Sequence, residues 1–152
     1  MINRVLIFGL LVLTIFSCTS TVRFNKNDKF EYESTINIKV NKAYCWINEM
    51  PGSERRFNIT GDILVLESPG YNCENVELKT IKILQNNLEV YFIKPVVRKD
   101  DSKTRIQFST VKGLLPNENL DINKNVDIYF IFEEDDDIFT YLKKNCKIDR
   151  VQ

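Results

Sequence analysis

"FEYESTINIKVN", residues 30–41, sets Phe30, Tyr32, Ile36, Ile38 and Val40 on one parity and Glu31, Glu33, Thr35, Asn37, Lys39 and Asn41 on the other. Successive side chains of an extended chain point to opposite faces. A period of two held over this length therefore predicts a strand that is buried on one face and wet on the other.

Similar runs follow at "YCWI" (44–47), "RFNI" (56–59), "ILVLE" (63–67), "VELKTIKIL" (76–84), "LEVYFIK" (88–94), "TRIQFST" (104–110) and "VDIYFIF" (126–132). They are rich in β-branched and aromatic residues. Asn41-Lys42, Pro51-Gly52, Gly61-Asp62, Pro69-Gly70, Asn86-Asn87 and Pro116-Asn117 separate them, all pairs that contain residues suited to turn dihedrals. Short strands at this spacing predict an all-β fold, a small antiparallel β-sandwich. Within residues 76–84 the apolar parity slips from Val76 and Leu78 to Ile81 and Ile83, which predicts a bulge near Lys79-Thr80. "DDDIFTYLKKN" (135–145) fits either a helix capped by Asp136 or the return strand of a hairpin whose turn is the acidic run. The hairpin is favoured, because residues 126–132 need a partner strand.

The chain has 152 residues, 43% apolar and 28% charged, which suits one folded domain over residues 29–152. Its 21 basic and 21 acidic residues cancel, so no overall field favours nucleic acid. Histidine is absent, which excludes Ser-His and Cys-His nucleophile pairs and the common zinc-protease motif. No cofactor, metal or small-molecule substrate is expected. An enzyme would need carboxylates such as Glu67 or Glu74 gathered in a pocket, and their spacing does not predict one.

Residues 1–17 lie outside this pattern. A positive charge at Arg4, an uncharged apolar run over 5–16 and a small residue at Ser17 are the parts of a secretory signal, too short for a transmembrane helix. Ile15, Phe16, Ser17 and Cys18 resemble the lipobox of bacterial lipoproteins. The resemblance implies cleavage before Cys18 and acylation of its sulfur and new amino terminus, an anchor far firmer than one acyl chain. A plain signal peptide is the alternative. Thr19 lacks the aspartate of an inner-membrane retention signal, so the resemblance implies the outer membrane, facing the periplasm. Residues 18–28 read as the lipidated cysteine and a polar tether.

Beyond Cys18, three cysteines remain, and an oxidising compartment predicts one disulfide and one spare thiol. Cys45 with Cys73 is the expected pair, with Cys146 left over. Trp46, beside Cys45, is expected in the core. Arg55-Arg56 and Arg98-Lys99 are weak candidates for an anion clamp. Glu133, Glu134, Asp135, Asp136 and Asp137 form the most concentrated charge, without the spacing of an EF-hand loop. They read either as a solvated turn that protects a strand edge or as an acidic surface that steers the domain onto a basic partner. With Tyr141 they are the candidate partner contacts.

"STINIKV" leading into "NKAYCW", with a second cysteine in "PGYNC", resembles a group of small periplasmic lipoproteins identified as type VI secretion immunity proteins. That resemblance spans residues 34–74. It implies an immunoglobulin-like sandwich that binds an effector toxin and covers its active site. The other expected class is an accessory lipoprotein of a cell-envelope assembly.

Overall fold

The computed structural model describes residues 36–67 and 72–152. The signal, Cys18, the tether, residues 30–35 and Pro69-Gly70 lie outside the described residues. Nine strands follow: β1 (Asn37–Asn48), β2 (Arg56–Leu66), β3 (Glu77–Gln85), β4 (Leu88–Ile93), β5 (Val96–Lys99), β6 (Arg105–Ser109), β7 (Val126–Glu134), β8 (Asp137–Cys146) and β9 (Ile148–Val151). They form two sheets, ordered β5-β6-β2-β1-β9 and β4-β3-β7-β8. Every pairing is antiparallel except β1 with β9, which is parallel. The chain is an all-β sandwich among the described residues, and residues 137–146 are the return strand of a hairpin.

Alternation decides what each sheet turns inward. Cys45, Ile47, Phe57, Ile59, Ile63, Val65, Ile106 and Phe108 of one sheet meet Leu78, Ile81, Ile83, Val126, Ile128, Phe130 and Phe132 of the other, all almost fully buried. Each large apolar side chain so buried contributes about 1.5–3 kcal/mol before entropy is counted. Two aromatic pairs cross between the sheets: Phe108 meets Phe130 edge-on at 5.3 Å, and Phe57 stacks on Tyr91 at 4.7 Å.

The expected bulge in β3 is present between Leu78 and Thr80. Pro51-Gly52 and Asn86-Asn87 are turns; Asn86 and Asn87 have φ of +53° and +65°, the left-handed values a two-residue hairpin loop requires. Two expected turns are not turns. Asn41-Lys42 is a bulge inside β1, and Gly61-Asp62 lies in the middle of β2, directly opposite it. The bulge moves the inward parity from Ile38 and Val40 to Ala43, Cys45 and Ile47. Gly61 is needed because the Phe108 ring packs onto its Cα: an added Cβ would fall 2.3 Å from that ring and 2.2 Å from the Lys42 carbonyl oxygen.

The 16 residues between β6 and β7 carry no strand but are pinned. Leu114 exchanges two backbone hydrogen bonds with Phe57, at 2.8 and 2.7 Å. The Tyr91 hydroxyl donates to the Leu115 carbonyl at 3.1 Å and accepts from the Asn117 N–H at 3.0 Å.

Candidate functional site

β7 and β8 run in register to Glu134↔Asp137, so the hairpin turns on Asp135 and Asp136. Asp135 has φ of +50°, which aspartate tolerates better than most residues. Parity then separates the five acidic residues. Glu134 shares the inward parity of Phe130 and Phe132; it is 7% exposed, and its Oε1 accepts the Asn72 backbone N–H at 2.8 Å. Glu133 points outward and lies 3.7 Å from Lys79, which also holds Glu77 at 2.6 Å. Asp135, Asp136 and Asp137 are exposed, and none makes an ion pair among the described residues.

One acidic residue thus anchors the tip, one is paired, and three are exposed at the turn, where Ile138, next along β8 and 71% exposed, faces outward beside Glu133. The arrangement presents an acidic turn with one exposed apolar side chain next to it in sequence, on a two-strand support. Ile138 was not singled out from the sequence; its signal is the outward parity it shares with its cross-strand neighbour Glu133.

Tyr141 is not at the tip. It pairs with Phe130, ring centroids 6.3 Å apart, and packs half-buried against the core. Four residues of strand separate it from Asp137, a distance of about 13 Å.

The expected Cys45–Cys73 disulfide is absent: Cys45, Cys73 and Cys146 are all free and buried. Cys73 donates its thiol to the Leu66 carbonyl at 3.3 Å, and Leu66 pairs with Asn37 at the start of β1. Cys45 stands eight residues further along β1, roughly 25 Å away at strand rise, where a bridge requires Cα atoms within about 7 Å. Burial pushes the Cys146 thiol up to about 11. Burial, and then the neighbouring Cys146, push Cys45 higher still.

Trp46 is not a core residue. It lies on the outer face of β1, half-buried and stacked on Tyr44 at 5.2 Å, because the bulge assigns the inward parity to Cys45 and Ile47. The basic pairs do not converge into a clamp. Arg55 holds Glu49 at 2.8 Å, Arg56 pairs with Glu54, and Lys99 donates to the Glu74 carbonyl at 2.6 Å. Glu67 and Glu74 are exposed, and Glu74 pairs with Lys103 at 2.9 Å. Among the described residues no group of three acidic, cysteine or histidine side chains is arranged to hold a metal.

Sequence reasoning also passed over Gln85, which is 3% exposed at the end of β3. Its amide nitrogen donates to the carbonyls of Asp121, Lys124 and Asn125 at 2.9, 3.2 and 3.4 Å, and its Oε1 accepts the Asp121 N–H at 2.7 Å. This one side chain fixes the turn over residues 121–125. A lone glutamine after an apolar strand carries no signal for that role in sequence.

The chain matches no known protein-family model, and no characterised protein shows significant similarity to it.

Proposed function

We propose that the chain is a lipid-anchored periplasmic lipoprotein whose sandwich is a non-enzymatic protein-binding module, an immunity protein that neutralises a secreted effector toxin. The observation that carries the binding role is the β7–β8 tip: three exposed aspartates with exposed Ile138 next to them along the strand, held by the bond from the Asn72 N–H to Glu134. An acidic turn steers encounter with a basic partner, and an exposed apolar side chain beside it adds contact that water cannot replace. The anchor rests on the lipobox resemblance of residues 15–18, and the toxin on the resemblance over residues 34–74.

The test uses the full chain in mild detergent, immobilised and exposed to lysate of its own strain, beside a variant carrying Asp135→Lys, Asp136→Lys and Asp137→Lys. The reading predicts one basic toxin-like protein retained in stoichiometric amount by the native chain and lost from the variant. Retention of envelope components alone, equal on both, would support the accessory-lipoprotein reading instead. Feeding radioactive palmitate checks the anchor: label is expected on the native chain and absent from Cys18→Ala.

A further inference from the structure

At the end of the sandwich opposite the acidic tip, a cavity of about 470 Å³ is lined by Ile122, Asn123, Lys124 and Asn125 on one side and Lys147, Ile148, Asp149 and Arg150 on the other. Both walls are runs of consecutive residues. A cavity over one face of a strand would meet every second residue, so this one follows the backbone edge of β9.

That edge is open. β9 closes the five-stranded sheet and pairs only with β1 among the described residues. The Val151 carbonyl accepts the Glu49 N–H at 2.8 Å and so faces β1. Backbone groups alternate along a strand, which turns the N–H and C=O of Ile148 and Arg150 toward the cavity.

The opposite wall is held in place by Gln85, through its four bonds to Asp121, Lys124 and Asn125. The charges around the cavity are mainly positive. Lys147 pairs with Asp149 at 2.7 Å and Lys124 with Asp121 at 3.3 Å. Arg150 has no carboxylate partner among the described residues. Its Nη2 donates to Asn123 Oδ1 at 2.6 Å, which aims the guanidinium across the cavity mouth and leaves its other N–H groups available.

We propose that this groove binds an extended acidic segment of a protein partner, which adds as a strand to the outer edge of β9 and sets a carboxylate against Arg150. Strand addition supplies the affinity through main-chain hydrogen bonds, and the cations select acidic side chains. Edges with only a guarding role also carry lysines; here a walled groove lies beside the edge, and the Arg150 guanidinium is held by the neutral amide of Asn123. The surface is separate from the acidic tip, at the other end of β7, and the inference does not depend on the tip's partner.

The experiment measures fluorescence anisotropy of a labelled hexapeptide of alternating glutamate and valine with the full chain in detergent. A lysine–valine hexapeptide and inorganic phosphate serve as competitors. The expected result is saturable binding of the acidic peptide, weakened at least about tenfold by Arg150→Gln and about threefold by Asn123→Ala, with slowed amide exchange at Ile148 and Arg150. Both substitutions are at exposed sites or in a turn and spare the core. No binding of the acidic peptide, equal binding by Arg150→Gln, displacement by the lysine peptide, or equal displacement by phosphate would each overturn the proposal.

Discussion

Gly61 and the buried thiols show how much single residues carry here. A methyl group at Gly61 meets both the Lys42 carbonyl and the Phe108 ring, so Gly61→Ala is expected to destabilise by about 2–3 kcal/mol, read as a lower urea midpoint at unchanged slope. Combining it with Phe108→Leu should cost less than the sum of the two single changes, since removing the ring clears one of the two obstacles. The thiols bear on pH. Burial raises Cys146 from an ordinary 9.0 to about 11 and Cys45 further, so both stay protonated in the fold while the unfolded chain ionises near 9. Their contribution is complete below that pH and is lost as pH climbs toward 11, because only the unfolded chain then gives up protons. The urea midpoint should hold from pH 7 to 8.5 and fall above 9, with a shallower fall in Cys146→Ala. Alkylation in denaturant without reductant should modify Cys45, Cys73 and Cys146 alike; a disulfide between Cys45 and Cys73 would contradict the fold.

At the scale of elements, period-two alternation made most of the strands legible, including the β3 bulge and the β8 hairpin. What misled was punctuation. Asn41-Lys42 and Gly61-Asp62 read as two turns, yet they face each other in one long antiparallel pair and together make a bulge with a glycine opposite it. Turn chemistry in one strand does not reveal that its neighbour has a matching weak point at the same level; pairing register does. β5 and β9, four residues each, are too short to show a period. Gln85 was equally invisible, because its partners are backbone groups about 40 residues away in sequence. Gln85→Leu should remove the side-chain partner of the Lys124 and Asn125 carbonyls and of the Asp121 N–H, while the Asp121 carbonyl keeps the Lys124 N–H. The expected cost is about 2–3 kcal/mol, with faster amide exchange confined first to residues 121–125. Unchanged exchange there would remove Gln85 as the clamp of that turn.

Across the whole molecule, near-zero net charge conceals two unlike ends. One presents Asp135, Asp136 and Asp137 at a turn beside exposed Ile138; the other presents Arg150 and paired lysines along an open strand edge. The acidic run was legible as letters. Its division into an inward anchor, a paired residue and three exposed ones was not, because Glu134 turns inward to meet Asn72, 62 residues earlier in the chain. On the two proposed readings, a partner at the tip would leave room for a second at β9, at the other end of β7. The most direct test of the tip's role is the association rate of the captured partner as a function of salt, for the native chain and for the triple Asp→Lys variant. Steering predicts a native rate that falls steeply as salt rises, and a variant about 10- to 100-fold slower at low salt with little salt dependence. Equal rates with equal salt dependence would show that the partner does not meet the tip, and the binding role assigned to it would fail.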